Sequence, residues 1–155
     1  MDLYLVQHGE AKSEAEDSER SLTDRGAETA RRMAAWAARV GVQVDQIRHS
    51  GKRRAEQTAA LLAEQLRPVN GTIAVAGLAP TADVRPVAEG LPAEIGAIML
   101  VGHLPFLSRL ASLLLSGDPE AGVIRFRMAG ITCLSNQEGT WAVNWVVPPA
   151  LVGVD

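Results

Sequence analysis

The chain has 155 residues, 47% of them hydrophobic and 21% charged, and its 15 Lys+Arg against 18 Asp+Glu leave a net charge of −3. This composition predicts one globular domain over residues 1–155 and excludes intrinsic disorder; without a basic excess, no nucleic-acid or membrane partner is expected. One cysteine, Cys133, allows neither an intrachain disulfide nor a cysteine-rich zinc site; with no 18-residue apolar run and no basic-then-apolar leader, a cytoplasmic protein is expected.

Leu3-Tyr4-Leu5-Val6 reads as a short buried strand that stops at Gln7-His8-Gly9, where glycine permits a tight turn. The charged stretch over residues 10–20 reads as a solvated, mobile loop, its acids lying away from any basic site. Thr23 is a cap for a helix over residues 24–40, with Ala27, Ala30, Met33, Ala34, Ala37 and Val40 at helical spacing and Gly41 as its stop. A strand is expected over residues 44–48. Ser50 is expected to cap a second helix, which presents Ala55, Ala59, Leu62 and Leu66 on one face and ends before Pro68.

Residues 72–76 alternate like a strand, and residues 78–91 read as a loop with a short helix. Ala97-Ile98-Met99-Leu100-Val101 is continuously apolar, as a strand buried on both faces should be. It ends at Gly102-His103, and Pro105 opens a helix to about residue 115. Residues 131–135 and 141–147 read as a hairpin around Gly139. Alternating strands and helices predict an α/β fold: a three-layer α/β/α sandwich with a mostly parallel central sheet.

In such sheets ligands bind beyond the carboxyl ends of the strands. His8 and His103 each follow a predicted strand, and the basic run Lys52-Arg53-Arg54 opens a helix on the same rim. Imidazoles, guanidinium groups and helix N-termini together describe an anion site. A histidine attacking phosphorus needs a neutral nitrogen, with its other ring nitrogen tied to a carbonyl of the following turn. His49 reads as a surface residue or one packed behind the site, Cys133 as a core residue and the tryptophans as packing residues. The histidine spacings give no support to a metal site, and no cofactor is expected.

Four segments resemble the histidine phosphatase (phosphoglycerate mutase-like) superfamily. Gln7-His8-Gly9 is similar to its Arg-His-Gly opening, and Ser21-Leu22-Thr23-Asp24-Arg25-Gly26 to its "LT-x-x-G" segment. Ser50-Gly51-Lys52-Arg53-Arg54-Ala55-Glu56-Gln57-Thr58 is similar to "SP-x-x-RA-x-QT", and Gly102-His103-Leu104-Pro105 to the second-histidine motif. Their order, and the short chain, resemble the SixA branch of phosphohistidine phosphatases. The resemblance implies the phosphoglycerate mutase-like fold and a metal-independent reaction through phosphohistidine on His8. It implies Arg54 as a phosphate clamp and His103 as the group completing the pocket, with Gln7, Gly9, Arg20 and Lys52 as phosphate or substrate contacts. Glu10 and Asp83 are the candidates for a general acid.

Two positions depart from the pattern. Gln7 stands where the family motif has arginine, and Gly51 where it has proline, a change expected to affect only the turn. The substrate expected is a phosphohistidine-bearing signalling protein, met by a shallow, open site. The alternatives are a small-molecule phosphomonoesterase and a phosphate- or phosphoprotein-binding module whose catalysis is weakened by Gln7.

Overall fold

The computed structural model describes residues 1–153. Strands β1 (Asp2–Gln7), β2 (Gln46–His49), β3 (Thr72–Ala74), β4 (Ile98–Gly102), β5 (Ile131–Gln137) and β6 (Thr140–Val147) form one sheet in the order β3-β2-β4-β1-β5-β6. The first four pair in parallel, while β5 joins β1, and β6 joins β5, antiparallel. Helices α1 (Asp24–Arg39) and α2 (Arg53–Leu66) pack on one face; α3 (Arg85–Gly90) and α4 (Phe106–Ser116) pack on the other. The architecture is the three-layer α/β/α sandwich that the sequence predicts. No helix among the described residues is long and apolar enough to cross a membrane.

Strand alternation divides the core. Tyr4 and Val6 of β1 and Met99 and Val101 of β4 face the α1–α2 side with Met33, Ala37 and Leu62. Leu3, Leu5, Ile98 and Leu100 face the opposite side with Phe106, Leu107 and Leu110. Each large side chain so buried contributes about 1.5–3 kcal/mol. Cys133 is a buried core residue, and Trp36 and Trp145 meet edge-on at 5.6 Å.

Some boundaries differ from the sequence reading, for local reasons. Strand β2 begins at Gln46 because Asp45 is already committed to other bonds: its backbone N–H donates to Ala97 O, and its carboxylate accepts from Ala97 N at 2.7 Å. Strand β3 stops at Ala74 and is exposed at the sheet edge. Ser50 does not cap α2. Gly51 lies between them at φ +88°, the N-cap is Lys52, and its side chain makes no capping bond. Proline, fixed near φ −65°, cannot adopt this conformation, so Gly51 sets a loop path that the family's proline would forbid. The acidic stretch is an internally bonded turn: the Asp17 carboxylate accepts from Ser21 Oγ, Ser21 N and Glu19 N.

The sheet register places the chemistry. Gln7 pairs with Gly102, and His49 pairs with Val101. The residues that follow these strands, His8, Ser50 and His103, therefore emerge on one edge. The loop carrying His8 is then pressed onto the start of α1, where Thr23 caps the helix by accepting from Gly26 N at 2.9 Å. A Cβ on Gly26 would lie 2.1 Å from Glu10 O, and one on Gly9 would lie 2.9 Å from Gly26 O. Backbone meets backbone here, with no flexible side chain to yield. Gly26→Ala is expected to destabilise the fold by about 1–3 kcal/mol, lowering Tm by about 2–4 °C per kcal/mol in thermal unfolding. An unchanged Tm would show that the close approach carries no strain.

Candidate active site

His8 is half-buried at the end of β1. Its backbone N–H donates to Gly102 O at 3.0 Å, and its Nδ1 lies 2.7 Å from Gly9 O. Arg54 Nε–H donates to His8 Nε2 at 3.3 Å. A guanidinium can only donate, so Nε2 must carry the lone pair and Nδ1 the proton. Burial lowers the His8 pKa below 6.5; the bond to Gly9 O opposes this, and the charges of Arg54 and Arg20 lower it further. His8 is therefore neutral at pH 7, with its lone pair on Nε2, where it accepts from Arg54. Gly9 N–H donates to Thr58 Oγ1 at 3.0 Å, and that hydroxyl donates to Arg54 O at 2.8 Å. The turn after the histidine is thus bonded to the helix that carries the arginine.

The His103 ring centroid lies 5.0 Å from that of His8. His103 is only 2% exposed, and burial lowers its pKa to about 3, helped by His8, Arg54, Lys52 and Arg20. Its Nε2 is 2.6 Å from Ser50 Oγ, while its buried Nδ1 has no hydrogen-bond partner among the described residues. The Ser50 O–H can donate to Nε2 while its oxygen accepts from Lys52 N–H at 3.3 Å, an arrangement that puts the ring proton on Nδ1. In that arrangement the unpartnered atom is an N–H.

Arg20 stands at φ +52°, a left-handed conformation uncommon for a side-chain-bearing residue. Its N–H donates to Asp17 O at 2.9 Å and its Nε to Lys12 O at 3.0 Å. Bonds from the Ser21 side chain, Ser21 N and Glu19 N lower the Asp17 pKa to about 2. The acidic turn thus serves as the frame for Arg20. Arg20, Lys52, Arg53 and Arg54 line an open depression of about 470 Å³. Glu14, Glu19 and Glu56 line it too, so Glu14 and Glu19 are not remote from the basic site as the sequence reading had them. Arg53 is paired with Glu56 at 3.3 Å.

The structure therefore brings His8, Gly9, Arg54, His103, Arg20 and Lys52 to one edge. Gln7 is half-buried, and its side-chain amide makes no hydrogen bond among the described residues; its backbone carbonyl accepts from Ala129 N at 2.8 Å. Glu10 and Asp83 are occupied elsewhere. Glu10 Oε1 accepts from Thr23 Oγ1 at 2.8 Å. Asp83 is exposed, accepts from Arg85 N at 3.0 Å and pairs with the Arg85 guanidinium at 3.6 Å. His49 is buried, and its Nδ1 accepts from Gly51 N at 3.1 Å, behind the Ser50 turn. Sequence reasoning missed the contacts of Ser50, Thr58 and Gln57, the last accepting from Leu22 N at 2.7 Å. Thr58, a fully buried hydroxyl among Ala55, Ala59 and Leu62, carried the one available signal: a polar residue on an apolar helix face.

Comparison with known proteins agrees with this arrangement. The model of the histidine phosphatase superfamily (branch 1) matches residues 3–76, which include His8 and Arg54. Phosphohistidine phosphatase SixA of Escherichia coli (strain K12) is 28% identical over 154 residues, covering 96% of this chain and 94% of that protein. The structure of the protein histidine phosphatase SixA complexed with tungstate superposes with a TM-score of 0.86 at 28% identity, over 97% of this chain and 99% of that one. An alpha-ribazole phosphatase from Shigella flexneri shares the fold at a TM-score of 0.79 and 17% identity, over the full length of both chains. With the sheet order, the paired histidines and the arginine on α2 all in place, these similarities support a phosphatase of the SixA type, similar to the histidine phosphatase superfamily.

Proposed function

We propose that this phosphatase hydrolyses phosphohistidine borne by another polypeptide, such as a signalling protein, through a covalent intermediate on His8. The observation that carries the reading is the neutral His8 imidazole, with Nδ1 held by Gly9 O and the Nε2 lone pair turned toward Arg54, next to His103. In the first step His8 Nε2 attacks phosphorus and the bond from phosphorus to the substrate imidazole breaks. The electron pair of that bond stays on the leaving nitrogen, which takes a proton from solvent. In the second step water attacks phosphorus, the His8–phosphorus bond breaks, and inorganic phosphate leaves with neutral His8 restored.

Charge on the transferring group is met by Arg54, Arg20 and Lys52, so the scheme uses no metal ion. His103 Nδ1–H gains its missing partner in a phosphoryl oxygen. The phosphorus–nitrogen bond of phosphohistidine is labile and needs little acid, which fits the engagement of Glu10 with Thr23 and of Asp83 with Arg85. The depression beside the histidines, lined by Arg20, Lys52 and Arg54, is open rather than closed, which suits a phosphoryl group presented by a protein.

Gln7 favours a second reading, a phosphate- or phosphoprotein-binding module. A bond from a neutral amide contributes about 0.5–1.5 kcal/mol, against about 1.5–3 from a charged group. The two readings separate in a trapping experiment with phosphoramidate. Acid-labile phosphate is expected on the wild type and not on His8→Ala. Label on neither protein, with phosphate binding retained, would select the binding module. If a small phosphomonoester turns over and a phosphohistidine protein does not, the substrate assignment fails.

Two further outcomes follow from the site. Because the His8 pKa is lowered, the lone pair persists below pH 6.5. The rate of phosphoenzyme formation should hold as pH falls from about 7.5 to 6.5 and decline only below that. A decline centred above pH 6.5 would contradict the depressed histidine.

Ser50 is assigned as a positioning residue that keeps the proton of His103 on Nδ1. Ser50→Ala should lower kcat/KM by about two- to tenfold, the loss of one hydrogen bond. It should also shift the His103 ring-nitrogen resonances in ¹⁵N NMR toward a mixed tautomer, with Ser50→Thr restoring both. Unchanged resonances in Ser50→Ala would remove Ser50 from this role.

A further inference from the structure

A second cleft, of about 640 Å³, flanks the loop that carries His8. Its walls are Arg25, Thr29 and Arg32 of α1, the segment Arg127-Met128, and residues 148–152 after β6, with Glu10 at one end. It shares structure with the reaction centre. Glu10 is two residues past His8, and Met128 forms a parallel bridge with Gln7.

The cleft gathers several cations on one concave surface. Arg31, Arg48, Arg53, Arg85 and Arg109 each pair with a carboxylate. Arg25, Arg32 and Arg127 are exposed and form no ion pair among the described residues. Arg32 donates to Gly153 O at 3.2 Å, and Arg127 to Phe126 O at 3.2 Å. Glu10, the cleft's acid, is bonded to Thr23. A chain of net charge −3 thus gathers around one concavity three guanidinium groups that form no ion pair among the described residues. The same cleft is lined by Met128, which is 44% exposed, with Pro148, Pro149 and Val152. Cations over apolar side chains fit an acidic polypeptide segment carrying an apolar residue better than they fit a bare anion.

We propose that this cleft is the docking site for an acidic segment of the polypeptide that presents phosphohistidine to His8. The proposal rests on the protein-substrate reading above and names what that substrate must carry: Asp or Glu near the phosphorylated residue. Docking beside the loop of His8 raises the local concentration of the phosphoryl group without touching phosphorus. Its effect therefore belongs in KM rather than kcat.

The test uses two synthetic phosphohistidine peptides, one flanked by glutamates and one by glutamines, with phosphoramidate as a substrate too small to dock. Wild type should prefer the glutamate peptide, and raised salt should shrink that preference. Arg25→Glu/Arg32→Glu should raise KM for the glutamate peptide by about tenfold, leaving phosphoramidate turnover and the urea midpoint unchanged. Equal losses on peptide and phosphoramidate would place these arginines in service of the reaction centre and overturn the proposal. So would equal use of both peptides by the wild type.

Fluorescence anisotropy of the labelled, unphosphorylated glutamate peptide reads docking independently of chemistry. Binding that the double variant loses supports the cleft even if phosphohistidine hydrolysis were absent, in which case only the catalytic reading falls. No binding to wild type, or stronger displacement by a single-stranded oligonucleotide than by excess peptide, would overturn the assignment to an acidic polypeptide.

Discussion

The hydrogen bond from His8 Nδ1 to Gly9 O is the constraint on which the site depends. It settles the tautomer, and the tautomer settles which nitrogen can attack. A bond between adjacent residues forms only if the turn after β1 keeps its shape, and four other segments contribute to that shape. Gly102 O at the end of β4 holds His8 N, and Thr58 of α2 holds Gly9 N. Glu10 O accepts from Thr23 N, at the start of α1, and Gly26 meets the same carbonyl too closely for any side chain. The backbone carbonyl of Gln7 is tied to Ala129, ahead of β5. Motifs far apart in sequence are thus different ends of one clamp around a single carbonyl and imidazole.

Electrostatics then acts on a rigid frame. Three lowered histidine pKa values, those of His8, His49 and His103, share burial as their largest cause. The cations nearby push in the same direction for His8 and His103, so the pocket can be strongly positive while both imidazoles stay neutral. That combination suits the proposed attack on a phosphoryl group: the field attracts an anion, and the imidazole proposed as nucleophile keeps its lone pair. The absence of arginine at position 7 removes one cation from this field. Arg20, held at φ +52° by the acidic turn, supplies another from a different loop. Glu14, Glu19 and Glu56 temper the field at the rim rather than at the histidines.

The layers, the strand polarity and the convergence of His8, Arg54 and His103 were legible in the sequence. Each rests on periodicity or on residues that directly follow apolar strands, and parallel register does the rest. The role of Ser50 was not legible. A serine before a basic helix start reads as a cap, and only the left-handed Gly51 reveals that the helix begins later, leaving the hydroxyl to His103. Glu10 and Asp83 were candidates by proximity in sequence or by family likeness, yet both carboxylates found closer donors in Thr23 and Arg85. Such choices are made by side-chain geometry over a few ångströms, which no periodic pattern encodes. The arginines of the second cleft come from α1 and from the segment before β5, so their convergence is likewise a tertiary fact.

The unpartnered Nδ1 of His103 links folding to the proposed chemistry. A buried polar group without a partner costs about 1–3 kcal/mol, and the fold tolerates that cost in its ligand-free state. Protonating the ring would add a buried charge among cations, which its pKa of about 3 reflects, so the imidazole stays neutral. In the proposed reaction a phosphoryl oxygen would relieve the cost by accepting from Nδ1–H, with no reorganisation of the ring that Ser50 already holds. A donor fixed before the substrate arrives stabilises developing charge more effectively than one that must turn to meet it. Among the described residues, His103 Nδ1 is the one buried side-chain nitrogen lacking a partner, and it is the atom that the proposed reaction would satisfy.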